Sequence, residues 1–260
     1  MVSSNATFAQ SAAVNESVPW PTALDQRRVA ADFYDTYWHT IISARTPQIT
    51  EYLRCERELA SATIDRCGYR GLVEVGCADG TLLLSVAVGR GLDYLGVDLA
   101  ADAIDRARSA LAKTAVGSAV GSPHTAVVQR DVRDLAALPG TLLPRSPRLV
   151  AFPFNVLAGI TTPVAALRAA AAIESDLLVF SYQTSWAAST VRRDYYRACG
   201  LTGRFNSDDR GVHFTAGLFT SSVYHEALVI GWLERLGYQV ELIPFAAVGL
   251  AYHARRRAPL

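Results

Sequence analysis

Lysine is almost missing from this chain of 260 residues. Lys113 is the only one, and arginine carries the rest of the positive charge. That leaves little room for a Schiff-base or phosphate-clamping lysine, and it reads as a codon signature, since surfaces constrain the choice of basic residue weakly. Net charge is scarce as well. Lys plus Arg is 25 and Asp plus Glu is 24, which leaves +1 and argues against a nucleic-acid binder that works by neutralising phosphates. The cysteines are few and scattered: Cys55, Cys67, Cys77 and Cys199 form no C-x-x-C pair and no Cys/His cluster at zinc spacing, so no metal site is expected. Lone thiols fit a reducing cytoplasm. The first twenty residues have neither a basic n-region nor an apolar h-region, so no secretory signal is expected. No apolar run reaches the ~20 residues that span a bilayer. The expectation is a soluble cytoplasmic protein without membrane or nucleic-acid partners; the oligomeric state is not readable.

Half of the residues are hydrophobic and 19% are charged, which excludes a disordered chain and suffices for a full-sized core. Residues 1–22 read as a mobile arm. Over 24–45, Val29, Phe33, Tyr37 and Ile41 recur every fourth residue beside Ala30, Tyr34, Trp38 and Ile42, a wide apolar stripe rich in aromatics. Thr46-Pro47 breaks it, and a second helix is predicted over 49–66. From 71 onward strands and helices alternate: GLVEV, then GTLLLSVAVGR; DYLGVD, then ADAIDRARSALAKTA; HTAVVQRD; RLVAFPF, then PVAALRAAAAI; DLLVFSY. Strands separated by helices imply a parallel sheet with right-handed crossovers. Residues 184–221 read as an insertion over the sheet's carboxyl edge. Thr220 or Ser221 is expected to cap a helix running to about 236, and YQVELIPF and AVGLAYHARR close the chain as two strands.

The informative stretch is VEVGCADGT, residues 73–81, directly after a strand and before a helix. A dinucleotide fingerprint needs glycines at relative positions 1, 3 and 6; here those are Gly76, Ala78 and Thr81, so the third glycine is missing. A P-loop is excluded because no Gly-Lys-Ser/Thr follows. What fits is acidic-x-Gly-x-(Gly/Ala)-x-Gly, with Glu74, Gly76, Ala78 and Gly80 in order. This resembles motif I of the class I S-adenosylmethionine (SAM)-dependent methyltransferases, with Ala78 in place of the central glycine. Asp98 ends the second strand and Asp131 the third, where that family places acids for the ribose and the adenine amino group.

The resemblance covers roughly 70–183. It implies a Rossmann-like α/β fold with a seven-stranded, mostly parallel sheet whose last strand is inserted antiparallel. On this reading 23–260 is a single domain: 23–68 a helical lid, 69–183 the cofactor-binding core, 184–221 a substrate cap, and 222–260 a closing helix and strand pair. The cofactor set it implies is Glu74, Gly76, Cys77, Ala78, Gly80, Asp98, Leu99, Asp131, Val132 and Phe154, with Arg45 as a candidate for the methionine carboxylate. Structural readings stand beside these: Asp98 as a helix N-cap, Asp131 starting a loop with Arg133, and Cys77 as a small filler.

Transfer of a methyl group from a sulfonium needs positioning and exclusion of water more than acid–base groups, and aromatic faces suit a sulfonium. Candidates for the chemistry are therefore Tyr37 and Trp38 on the lid, Asn155 after the fourth strand, and His213 in the cap. Tyr182, Tyr195 and Tyr196 are candidate pocket liners. Phe152-Pro153-Phe154-Asn155 differs from the Asn-Pro-Pro-Tyr of enzymes that methylate planar nitrogens. The reading is a SAM-dependent methyltransferase acting on N or O of a small molecule in specialised metabolism, with S-adenosylhomocysteine as product. One alternative is a cyclase of the same fold that releases methylthioadenosine, as in azetidine-2-carboxylate formation. Others are a nicotinamide oxidoreductase and a binding module with a vestigial site.

Overall fold

A computed structural model describes residues 44–115, 124–217 and 219–257. The aromatic stripe before residue 44, and with it Tyr37 and Trp38, lies outside the described residues. The first described helix, α1 (Pro47–Cys67), begins where its sequence dictates. Thr46 Oγ1 accepts the Ile49 N–H at 3.3 Å and Pro47 occupies the first turn, where its missing N–H costs nothing. Gly68, left-handed at φ 64°, ends it.

Seven strands then form one sheet: β1 (Gly71–Val75), β2 (Asp93–Asp98), β3 (Thr125–Gln129), β4 (Arg148–Phe152), β5 (Asp176–Tyr182), β9 (Tyr238–Phe245) and β10 (Gly249–Arg256). Their spatial order is β3-β2-β1-β4-β5-β10-β9. β10 runs antiparallel to both of its neighbours, and the pairs β1–β2, β1–β4, β2–β3 and β4–β5 are parallel. The expected sheet, with its antiparallel insertion, is the one observed. β1 is buried at all five positions, as a strand covered on both faces must be. On one face Leu72, Tyr94, Leu149, Leu178 and Phe180 pack with α1. On the other, Val73, Val97, Val150 and Val179 pack with α4 (Pro163–Ala172) and α6 (Glu226–Arg235).

Two expectations change. The helix predicted from residue 80 shrinks to α2 (Leu84–Gly89), because residues 79–83 are spent on turns; α3 (Ala101–Ala115) follows β2 as predicted. Thr220 and Ser221 cap no helix. They belong to β8 (Phe219–Tyr224), which pairs with β7 (Gly211–Ala216) and, beyond it, β6 (Arg204–Asp208) in a separate antiparallel sheet. Pairing with β7 carries the chain past the hydroxyls, and His225 takes the cap position of α6. Between β5 and this small sheet lies α5 (Trp186–Ala198), capped by Ser185. No helix among the described residues is long and apolar enough to cross a membrane.

Candidate active site

Open parallel sheets bind ligands beyond the carboxyl ends of their strands, at the point where strand order reverses. Here that point lies between β1 and β4, and a cavity opens there. Its wall includes Gly76, Ala78, Asp98, Leu99, Asp131 and Val132 from the β1–β3 side, Phe154 and Asn155 after β4, and Tyr182, Tyr195, Tyr196, Phe219 and Ser221 beyond. Strand order spreads these groups along one edge. Asp131 and Tyr182 are separated by four strand spacings, about 19 Å.

At the β1 end the chain turns sharply. Gly76 and Cys77 both donate to Val97 O, at 2.7 and 3.2 Å, and Gly76 has φ 69°. A Cβ on Gly76 would sit 2.4 Å from Val156 Cγ2, so glycine is required by space as well as by conformation. Ala78 is also left-handed, at φ 47°, a conformation that costs a non-glycine residue free energy. Asp98 holds it there: Oδ2 accepts the Ala78 N–H at 2.8 Å, while Oδ1 accepts the Ala100 N–H at 2.9 Å. Asp98 thus closes an Asx turn onto Ala100, just ahead of α3, and ties the glycine loop to β2, with its carboxylate on the cavity wall. Asp131 is buried beside Arg133, whose Nε reaches its two oxygens at 2.9 and 3.0 Å and whose Nη2 also bonds Oδ2. The Arg133 N–H adds 2.9 Å to Oδ1. The reading of Asp131 as starting a loop with Arg133 is therefore realised in the structure, at the cavity wall.

Glu74 and Cys77 stand apart from the cavity wall. Strand alternation turns Glu74 to the α1 face, where it is fully buried and Tyr94 Oη donates to its Oε2 at 2.6 Å. Burial pushes its carboxyl up to about 8, against the lowering effect of the Tyr94 bond. The Cys77 thiol is buried over Gly96, where an added Cβ would meet its sulfur at 2.8 Å. It fills space under the loop. Gly80, at φ 76°, completes the turn by donating to Cys77 O at 2.8 Å. Arg45 is exposed and outside the cavity wall, which removes it as the carboxylate holder. His213 is also misplaced by the sequence reading. On β7, Val212 and Phe214 face inward, so His213 faces the other way. Its ring pairs with Asp208 Oδ1 and Ser222 Oγ, each at 2.8 Å.

The β4 end carries two consecutive left-handed residues, Phe154 (φ 46°) and Asn155 (φ 58°). Glu56 of α1 stabilises this turn by accepting the Phe154 N–H on Oε1 at 2.7 Å. Glu56 is fully buried and its other oxygen has no partner. Burial raises its carboxyl well above the usual range. Asn155 Oδ1 accepts from Ser181 Oγ at 3.0 Å, and its Nδ2 lies 3.5 Å from Ser221 Oγ.

Past Asn155 the wall is aromatic. Phe154 meets Tyr195 edge-on at 5.4 Å, Tyr195 lies 5.4 Å from Tyr196, and Tyr196 meets Phe219 at 5.5 Å. Behind them is Arg192, which is 1% exposed and so buries its charge. Glu56 and Arg192 went unnoticed in the sequence, although Ala188, Arg192, Tyr195 and Tyr196 form one helical face, and an arginine in such a stripe is a signal. No group of His, Cys, Asp or Glu among the described residues is arranged to hold a metal.

No protein-family model and no curated protein matches the sequence. Solved structures do match. A magnesium protoporphyrin IX methyltransferase from Synechocystis PCC 6803 with bound SAH superposes with a TM-score of 0.58 at 14% identity, over 90% of this chain and 100% of that one. The 1,6-didemethyltoxoflavin-N1-methyltransferase of Burkholderia thailandensis, holding 1,6-didemethyltoxoflavin and S-adenosylhomocysteine, gives 0.59 at 13% identity, over 94% of each chain. A SAM-dependent methyltransferase from Clostridium acetobutylicum gives 0.54 at 10%, over 88% and 98%. At these identities the likeness shows the fold, which is that of the class I SAM-dependent methyltransferases.

Proposed function

From that fold we propose that the chain is a SAM-dependent methyltransferase that modifies a nitrogen or oxygen atom of a small molecule. The observation that carries this reading is the continuous cavity along one sheet edge, with a glycine loop and two carboxylates at one end and an aromatic chamber at the other. The donor set fits the cofactor. Gly76 and Ala78 let backbone approach the ligand closely, Asp98 offers two oxygens to adjacent ribose hydroxyls, and Val132 gives an apolar edge for the adenine beside Asp131. When bound, SAM supplies an electrophilic methyl group on a sulfonium. The chain's part is to orient the acceptor at the β4 end, where Asn155 keeps an amide N–H for it, and to exclude water with the rings of Phe154, Tyr195 and Phe219. The free thiols support a reducing compartment, the cytoplasm, and the near-neutral charge supports a small-molecule partner.

Calorimetric titration with S-adenosylhomocysteine, SAM and NAD tests the reading. Binding of the first two and not of NAD is expected, and heat from NAD alone overturns it. Incubation with SAM and no acceptor then checks the reaction: the protein should leave SAM intact, whereas accumulation of methylthioadenosine would make it a cyclase.

A further inference from the structure

The aromatic end of the cavity holds a buried hydroxyl without a partner and, behind it, a buried guanidinium. Tyr182 lines it, is 3% exposed, and its hydroxyl has no hydrogen-bond partner. Ser221 lines it too. Its Oγ accepts from Tyr196 Oη at 2.6 Å and lies 3.5 Å from Asn155 Nδ2 and from Arg192. Its hydroxyl rotates freely enough to turn its own proton to Tyr196 Oη or to a ligand. A buried donor without an acceptor costs free energy until something fills the place.

The charge behind these hydroxyls has the same sign of demand. The Arg192 guanidinium donates to Ser221 O at 2.8 Å and Val212 O at 3.3 Å, while its Nε has no partner. It lies 5.9 Å from the ring centres of Tyr182 and Tyr196 and 5.2 Å from that of Phe205. Ring faces and carbonyls are all that offset the charge; no carboxylate among the described residues pairs with it. The acid that also acts on Tyr182, Glu56, makes no hydrogen bond to Arg192, and burial disfavours its anion. Buried cations are ordinarily paired. The carboxylates of the cavity wall, Asp98 and Asp131, stand at the far end of the sheet edge, beside Arg130 and Arg133.

We propose that Tyr182 and Ser221, backed by Arg192, form an oxyanion subsite, and that the acceptor is a flat aromatic molecule bearing a carboxylate or phenolate oxygen. The surrounding rings take the apolar body of such a molecule, and the two hydroxyls take its charged oxygen. Arg192 acts through the tyrosine rings and Ser221 without touching the ligand. The proposal rests on the methyltransferase reading for the identity of the cofactor, but not for the binding event.

Benzoate and its neutral analogue benzamide are the probes, titrated into the free protein and into protein saturated with S-adenosylhomocysteine. Benzoate should bind at least tenfold more tightly than benzamide. Tyr182→Phe should cost benzoate about tenfold, as expected for a hydrogen bond to a charged group. The same variant without ligand should melt at the native temperature or above it, since the deleted hydroxyl makes no bond. A merely structural Tyr182 would instead lower the melting temperature and leave the probe affinity unchanged. Arg192→Gln, where it folds, should bring the benzoate-to-benzamide ratio close to one. Equal affinity for both probes, no binding of either, or undiminished benzoate binding in Tyr182→Phe overturns the proposal. If benzoate binds as expected while S-adenosylhomocysteine gives no heat, the cofactor reading fails and the subsite stands.

Discussion

The two ends of the cavity are built from different kinds of chain. The end at β1, β2 and β3 is backbone held by carboxylates: a left-handed loop at Gly76 and Ala78, pinned through Asp98, with Asp131 locked to Arg133. The end beyond β4 is side chains held by other side chains, where Tyr196 reaches Ser221, Ser181 reaches Asn155, and Arg192 lies behind them. The first end presents carboxylates beside Arg130 and Arg133, the second hydroxyls and a buried cation. The difference teaches that one end can be specific through fixed backbone while the other is specific through what it leaves unpaired.

The sharpest way to break this comparison is Asp98→Ala. Losing both the loop tether and the proposed ribose acceptor should weaken S-adenosylhomocysteine binding about 100-fold, since each hydrogen bond to a charged group is worth at least a factor of ten. Benzoate binding should hardly change, and a parallel loss of both would show that the ends are not independent. Next in size is Glu74→Gln, which probes the support beneath the loop. The folded-state carboxyl lies at about 8 and the ordinary value at 4.5, so the folded protein holds a proton that the unfolded chain releases. Stability from this group is full below about pH 4.5 and is lost as pH rises through about 8. Between pH 6 and 7.5 the native protein should lose about 2 kcal/mol that the Gln variant keeps, at ~1.4 kcal/mol per pH unit. Melting curves against pH read this directly, and identical slopes in the two proteins would refute it.

Asp131→Asn should be milder than Asp98→Ala, at about tenfold in S-adenosylhomocysteine affinity. Arg133 already occupies the Asp131 carboxylate, so the adenine gains less from it. A loss as large as that of Asp98→Ala would mean that Arg133 yields to the ligand. The smallest effect is expected of His213→Ala. Its ring bonds Asp208 and Ser222 on the outer face of the small sheet, and partly exposed pairs contribute little. Turnover should be unchanged and stability should move by less than about 1 kcal/mol; a lost alkaline or acid limb in the rate profile would put His213 back in the chemistry.

What could be read from the sequence follows the same division. The seven strands, the glycine turn and the acids at 98 and 131 were legible because each motif is contiguous with a strand end, and backbone position alone carries its meaning. The aromatic end was not. Glu56 meets Phe154 across 98 residues of chain and Arg192 meets Ser221 across 29, distances over which no local pattern speaks. Ser221 was misread as a helix cap because a hydroxyl ahead of EALV has that look, while the ladder that claims it runs to β7. His213 was misread because its residue type suggested chemistry, although alternation with Val212 and Phe214 already turned it outward. Glu74 fits its motif position, yet the same alternation buries it against Tyr94.

On the proposed reading, a cation fixed behind Tyr182 and Tyr196 also limits which atom of an acceptor can react. Displacement at a sulfonium by an anion annihilates charge, so the transition state is less charged than the bound reactants. An oxygen steadied by two hydroxyls, with a guanidinium behind them, holds its lone pairs tightly and makes a blunted nucleophile. The anchored oxygen and the attacked atom of the acceptor should therefore be different atoms. The acceptor would be held by one polar group at the β5 side and would offer a second, less solvated one to the methyl group near Asn155.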